Sequence, residues 1–156
     1  MGIVDRRERE KRKRRNSIVD GARELFYRYG YERTKMVEIA EFCELSKGTL
    51  YLYFHNKEDL ARAVIVGSYD TIYRLMEEAV ASERYGVDQA RALLEAYVTF
   101  YTQHRQDFDL AMALQNHLRD GMIDQNRWTA FFERIDKIHE LSAAVIRRGI
   151  DDGTIR

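Results

Sequence analysis

The 156-residue chain contains no proline, one cysteine and only nine glycines. Because proline interrupts helices, its absence over this length favours an all-helical fold. The single cysteine, Cys43, excludes a disulfide within the chain and a zinc site built from several cysteines. No run approaches the roughly 18 apolar residues of a membrane helix, and no apolar signal segment follows the basic start of the sequence. We therefore expect a cytoplasmic protein in a reducing compartment.

Charge is unevenly divided along the chain, although 26 Lys and Arg balance 26 Asp and Glu overall. Residues 1–60 hold 14 basic and 11 acidic side chains, and residues 61–156 hold 12 and 15. Eight of the ten positions from Arg6 to Arg15 are basic. Residues 1–15 are interpreted as a basic arm that either extends the first helix or stays mobile. The asymmetry weakly indicates a surface for nucleic acid near the start of the chain.

A helix-turn-helix is predicted in the first third of the sequence. Gly30 ends a first helix, and Thr34 and Ser46 are predicted N-caps of two short helices over residues 35–42 and 47–53. Three residues join these helices, as in a helix-turn-helix. The first helix is predicted from apolar residues at helical spacing: Ile18, Ala22, Leu25, Phe26 and Tyr29.

Four more helices are predicted after Asn56, which is a suitable N-cap for a long fourth helix. A fifth is predicted from residues in phase at Ala90, Leu94, Tyr97, Val98 and Tyr101. A sixth covers about residues 107–118 and ends at Asp120 and Gly121, and a seventh covers about residues 123–148. The seventh is apolar on more than one side, which indicates burial or contact with another subunit.

The second short helix has two faces when it is drawn at 100° per residue. Leu50 and Phe54 point inward, with Tyr53 less squarely so, whereas Tyr51 and Leu52 point outward with Gly48. A recognition helix enters the major groove with its N-terminal end leading, which favours contacts from Lys47, Gly48 and Thr49. Leu52 is suited to a thymine methyl group, and the hydroxyl of Tyr51 is suited to phosphate.

The stretch GYERTKMVEIAEFCELSKGTLYLYFHNKEDL, which begins at Gly30, resembles the DNA-binding domain of the tetracycline-repressor (TetR) family of bacterial transcription regulators. The resemblance implies an all-α protein with an N-terminal three-helix DNA-binding domain at residues 16–56. It also implies a helical domain for effector binding and dimerisation at 57–156. The implied partners are a palindromic operator in double-stranded DNA, a small effector and a second copy of the chain. The positions expected to serve DNA are Thr34, Lys35, Ser46, Lys47, Gly48, Thr49, Tyr51, Leu52, Tyr53 and Lys57.

Two features depart from the family pattern. The turn between the short helices usually has glycine, whereas this chain has Glu44, and a left-handed conformation there costs a non-glycine residue roughly 1 kcal/mol. We expect the turn to survive with that strain or to shift slightly. The family also adds about two further helices that form its dimer interface, and we expect these final helices to be missing after Gly149.

An effector site is expected among helices four to seven, where polar-tipped aromatic side chains stand among apolar ones. The same residues also suit the packing of a helical bundle. The sequence does not identify the effector, beyond a preference for an amphipathic or aromatic molecule. The candidate effector-binding residues are Tyr69, Tyr73, Tyr97, Tyr101, His104, Gln115 and Trp128, with His117 and His139 as further polar positions in the same region.

An enzyme and two other kinds of binding protein are the alternatives to a regulator. No catalytic constellation, phosphate loop or metal-ligand spacing is visible, so we expect neither an enzyme nor a cofactor. A low-specificity architectural DNA-binding protein and a helical partner-binding module remain as alternatives. Only a regulator is expected to prefer one palindrome over other sequences by roughly a thousandfold or more.

Overall fold

The computed structural model describes residues 3–118 and 125–156. Within these ranges the regular structure consists of seven α-helices and no strand, which confirms the all-α prediction. The predicted end of the sixth helix at Asp120 and Gly121, and the predicted start of the seventh at Ile123, lie outside the described residues. The helices are α1 (Ile3–Tyr29), α2 (Met36–Phe42), α3 (Lys47–Tyr53), α4 (Lys57–Ala81), α5 (Gly86–Gln103), α6 (Arg105–His117) and α7 (Gln125–Asp151).

The chain divides into two compact units, with the boundary between Val64 and Ile65. In unit 1, the helix α1 begins at Ile3, so residues 3–15 of the basic arm extend the first helix. Gly30 ends α1 with a φ of +83°, a conformation that glycine adopts without strain. The core of unit 1 is apolar, and its buried side chains include Ile18, Ala22, Leu25, Phe26, Ile39, Ala40, Leu50, Phe54 and Leu60.

The helix α2 ends at Phe42, and Glu44 adopts the left-handed conformation that the sequence predicted, with a φ of 55°. The turn is closed by the N–H of Leu45, which donates to the carbonyl of Ala40 at 2.8 Å. The turn also lies close to α1, since a Cβ atom added to Gly21 would stand 2.5 Å from Cys43 Sγ. These contacts hold the strained residue in place.

Glu44→Gly is expected to raise the free energy of unfolding by about 1 kcal/mol, because glycine removes the cost of the left-handed conformation. Urea denaturation followed by circular dichroism measures this change. The matched control is Glu41→Gly, one turn earlier inside α2, where glycine should lower stability by about 1 kcal/mol. A loss of stability in Glu44→Gly as large as in the control would contradict the prediction.

Unit 2 is built on the packing of α5 against α7 together with the second part of α4. Its core contains Ile72, Met76, Leu93, Ala96, Phe100 and Val145. Of the apolar residues that are in phase along α5, four have exposed side chains: Leu94, Tyr97, Val98 and Tyr101. The helix carries two apolar stripes, and the one that contains Leu93 and Phe100 packs inward.

The end of α7 and the residues after it cap the start of α5. The N–H of Gly86 donates to Asp152 Oδ2 at 2.8 Å, and the N–H of Val87 donates to Thr154 Oγ1 at 3.1 Å. Hydrogen bonds from the Thr154 hydroxyl and from the Gly86 N–H lower the pKa of Asp152. The stability that this carboxylate contributes is present above its ordinary pKa and is lost as the pH falls through the lowered value.

Among the described residues, none of the helices has the length and hydropathy needed to cross a membrane.

Candidate DNA-binding surface and effector cavity

The outward face of α3 carries the side chains that the sequence assigned to it. Leu52 is 82% exposed and Tyr51 is 38% exposed, whereas Leu50 is fully buried. The ammonium group of Lys47 lies 6.0 Å from the centre of the Tyr51 ring, so the two side chains share one side of the helix. Gly48 is open to solvent, because an added Cβ would meet only Ser46 Oγ at 3.9 Å. This face presents a cation, a phenol and an apolar group to a partner.

Ser46 fixes the start of α3, as predicted. The N–H of Thr49 donates to Ser46 Oγ at 3.1 Å, and the two hydroxyl oxygens lie 2.8 Å apart. The hydroxyl groups of Ser46 and Thr49 therefore take part in the N-cap of α3. Tyr53 is half-buried at the other end of the helix, and Lys35 is exposed at the N-cap of α2. The DNA contacts of these four residues stay predictions.

The side chain of Thr34 is buried, and Thr34 is not the N-cap of α2. Its side chain is 1% exposed, and its hydroxyl donates to the carbonyl of Gly30 at 2.8 Å, with the carbonyl of Leu25 at 3.3 Å. The N-cap of α2 is Lys35, whose N–H donates to Glu38 Oε2 at 2.7 Å. Thr34 joins the end of α1 to the start of α2, so its N-cap prediction is wrong, and its phosphate contact stays a prediction.

Lys57 has a structural role at the start of α4. Its ammonium group donates to the carbonyls of Tyr31, Glu32 and Thr34 at 2.9, 3.3 and 3.2 Å. It also lies 4.3 Å from the centre of the Tyr31 ring. Three acceptors match the three donors of an ammonium group. The residue ties the first turn of α4 to the segment before α2, and its contact with a phosphate stays a prediction.

Lys57→Met is expected to lower the free energy of unfolding by about 2 kcal/mol, because it removes hydrogen bonds from a charged donor to three carbonyls. Methionine keeps most of the length of the side chain, so the loss reflects the ammonium group. Thermal and urea denaturation measure the change. The control is Lys137→Met at an exposed position of α7, which should change the free energy of unfolding by no more than about 0.5 kcal/mol. An equal effect of the two substitutions would contradict this role for Lys57.

Unit 2 contains a cavity of about 250 Å³. Its described lining comes from all four helices of the unit and is mainly apolar. Tyr69 and Tyr97 line it as predicted, and His139 lies at it as well. The other lining residues are Ser68, Ile72, Phe100, Phe108, Ala111, Met112, Ile135 and Ile138. Apart from Ser68 these residues are apolar, and the pattern of polar-tipped aromatic side chains in the sequence therefore does not include them.

The remaining candidate effector residues lie outside the lining of this cavity. Gln115 donates to the Tyr69 hydroxyl at 3.3 Å, and His104 stacks on Phe100 with ring centres 5.8 Å apart. Tyr101 packs edge-on against Phe108, Trp128 is buried against Phe131, and Tyr73 contacts Glu77. Gln115 and His104 thus position side chains of the lining, and ligand contacts from all five residues stay predictions.

The described residues bring together no group of three or more His, Cys, Asp or Glu side chains suited to a metal ion. Burial raises the pKa of the Cys43 thiol, and Asp20 adds to the effect. The thiol therefore stays protonated near neutral pH and is a poor nucleophile.

Comparison with known proteins decides the family. Residues 18–64 match the model for bacterial regulatory proteins of the tetR family. The HTH-type transcriptional repressor KstR2 of Rhodococcus jostii (strain RHA1) is 30% identical over 143 residues, covering 92% of this chain and 68% of that protein. The chain belongs to the TetR family. It is a DNA-binding transcriptional regulator with a helix-turn-helix domain followed by a helical domain.

Two solved TetR-like structures show the same fold. AibR, solved with isovaleryl coenzyme A and operator DNA, is 24% identical with a TM-score of 0.66, covering 92% of this chain and 75% of that one. FadR from Bacillus subtilis, solved with stearoyl-CoA, is 21% identical with a TM-score of 0.66, covering 90% and 73%.

Proposed function

We propose that this TetR-family chain is a cytoplasmic repressor that binds a palindromic operator as a homodimer. It leaves the operator when a small molecule enters the cavity of unit 2. The observation that carries the DNA-binding part is the outward face of α3, where Lys47, Tyr51 and Leu52 stand on a capped and buried support. Two-fold symmetric helix-turn-helix proteins place their recognition helices about 34–36 Å apart in successive major grooves.

The cavity supports an effector with a substantial apolar part. Its described lining is dominated by aliphatic and aromatic side chains, with polar tips at Ser68, Tyr69, Tyr97 and His139. Tyr97 is half-exposed and His139 is exposed, so a polar group of the ligand fits on their side of the cavity. Acyl-CoA thioesters combine an apolar chain with a polar head, and two structural relatives were solved with such molecules. We propose an acyl thioester or a similar amphipathic compound.

The helix α4 is the proposed link between effector and DNA. It runs from Lys57 to Ala81 and so contributes residues to both units. Tyr69 and Ile72 of α4 line the cavity, and Lys57 binds the carbonyls before α2. A ligand that binds a hundredfold more tightly to the conformation that does not bind DNA shifts the equilibrium between the two conformations by about 2.7 kcal/mol. That shift is enough to empty a moderately occupied operator.

The effector part is tested by titrating the protein–operator complex with isovaleryl-CoA and stearoyl-CoA and following release by fluorescence anisotropy. The operator is first selected from random DNA fragments by the protein itself. Release by at least one thioester is expected in the wild type, and Ile138→Trp, which fills the cavity, should keep operator binding and lose release. Val98→Trp adds the same ring at an exposed position of α5 and should behave as wild type. Equal release from all three proteins would refute the cavity as the effector site.

A further inference from the structure

Residues 3–15 of the basic arm are helical, and the function proposed above gives them no role. Residues 6–15 all lie within α1, and each of them is exposed. Eight of these ten residues are basic and none is apolar. At 100° per residue the basic side chains surround the helix, with no gap wider than about 80°. A helix that binds a membrane or a protein groove needs an apolar face, and this one has none.

Residues 6–15 carry a net charge of +6, because eight side chains are basic and two are acidic. Arg6 and Arg7 stand at the end of the first turn, where the helix dipole disfavours cations. Arg7 and Lys11, and Lys11 and Arg15, are like-charged pairs four residues apart, and such pairs destabilise a helix by a few tenths of a kcal/mol each. The exposed pair of Arg6 with Glu10, at 3.0 Å, offsets part of this cost. A polyanion laid along the arm would relieve the repulsion.

The base of the arm is fixed beside the helix-turn-helix. The guanidinium group of Arg15 lies 4.9 Å from the centre of the ring of Phe54, which is the C-cap of the recognition helix α3. Ser17, two residues on, has its carbonyl 3.9 Å from Cys43 Sγ in the turn before α3. From Arg15 to Arg6 the helix extends about 14 Å, the length of about 4 base pairs of duplex.

We propose that the basic arm binds the phosphate backbone of the duplex that flanks each operator half-site. This inference rests on the proposed DNA-binding function of α3, and it adds a second, sequence-independent contact surface. The basic side chains neutralise phosphates on the flanking turn, while α3 reads bases. The arm therefore contributes affinity and salt dependence, and it extends the bound DNA by about 4 base pairs on each side.

The test compares the wild type with an arm variant that combines Arg7→Gln, Lys11→Gln, Arg12→Gln and Arg14→Gln. Glutamine is chosen because its helix propensity is close to that of Lys and Arg. The slope of log affinity against log salt is measured on the selected operator and on a scrambled duplex of equal length. Loss of two to four phosphate contacts should reduce the slope by about 2–4 on both duplexes. The ratio of the wild-type affinity to the affinity of the arm variant should then fall by about 15- to 250-fold between 50 and 200 mM salt.

A control variant removes the same charge from unit 2 through Arg74→Gln, Arg84→Gln, Arg91→Gln and Arg147→Gln, and it should keep the wild-type slope. Flanks of 6 base pairs added to the operator should strengthen binding by the wild type and the control but not by the arm variant. An arm variant with the slope and flank dependence of the control would overturn the proposal. A wild type without preference for its selected operator would instead refute the proposed repressor, while the slopes still decide the role of the arm.

Discussion

Gly86→Ala is expected to lower the free energy of unfolding by about 3 kcal/mol, at the upper end of the usual range for overpacking. A Cβ atom at this position would stand 2.2 Å from both the Cα and the N of Gly149 and 2.9 Å from the carbonyl carbon of Arg148. These neighbours are backbone atoms of α7, so they cannot swing aside as the end of a flexible side chain would. The start of α5 must move away from α7, and the hydrogen bond from Gly86 to Asp152 is lost with it.

Urea denaturation followed by circular dichroism measures the effect, and Gly48→Ala supplies the matched control. At Gly48 the nearest described atom to an added Cβ is Ser46 Oγ at 3.9 Å, so alanine fits. Because Gly48 lies within α3, alanine should raise stability by about 0.5–1 kcal/mol. A Gly86→Ala protein within about 0.5 kcal/mol of the wild type would show that α5 and α7 are not in such close contact.

Lys47→Ala and Tyr51→Ala are each expected to weaken binding to the selected operator by about tenfold or more, which corresponds to the loss of one good contact worth about 1–3 kcal/mol. Both side chains lie on the outward face of α3, and both are exposed in the free protein. Their removal should therefore leave the free energy of unfolding within about 0.5 kcal/mol of the wild type. A loss of binding without a loss of stability assigns the effect to DNA contact.

Tyr85→Ala is the control for Tyr51→Ala, because Tyr85 is a comparably exposed tyrosine of unit 2. It should leave operator affinity unchanged in fluorescence anisotropy at fixed salt. The variant Tyr51→Phe separates the hydroxyl group from the ring, and a loss equal to that of Tyr51→Ala would assign the contact to the hydroxyl. If both Lys47→Ala and Tyr51→Ala keep wild-type affinity, α3 does not read DNA through this face.

Features of the structure that depend on neighbouring residues in the sequence were predictable. Ser46 caps α3 through the N–H of Thr49, and Asn56 caps α4 through the N–H of Asp59 at 2.8 Å. The left-handed conformation of Glu44 agrees with the strained turn that the resemblance to the TetR family led us to expect as one of two outcomes. The inward and outward faces of α3 follow from the helical repeat, because residues three or four positions apart lie on the same face of a helix.

Features that depend on contacts between distant residues were not predictable. The burial of Thr34 and the carbonyl contacts of Lys57 are examples, because the carbonyls belong to other segments, up to 26 residues away in the case of Lys57. The buried face of α5 does not follow from the sequence, because Leu93 and Leu94 begin two different apolar stripes of one helix. Only packing against α7 and α4 selects the stripe that is buried. The same limit applies to the cavity, whose lining is mostly aliphatic and aromatic and looks like ordinary core in the sequence.

The most direct test of sequence-selective binding by α3 is the ratio of two affinities at one salt concentration. One is the affinity of the wild type for the palindrome that it selects from random DNA, and the other is its affinity for a scrambled duplex of equal length and composition. A repressor of this kind should bind the palindrome at least about a thousandfold more tightly. Equal affinities for the two duplexes would contradict the assignment and favour a low-specificity architectural DNA-binding protein.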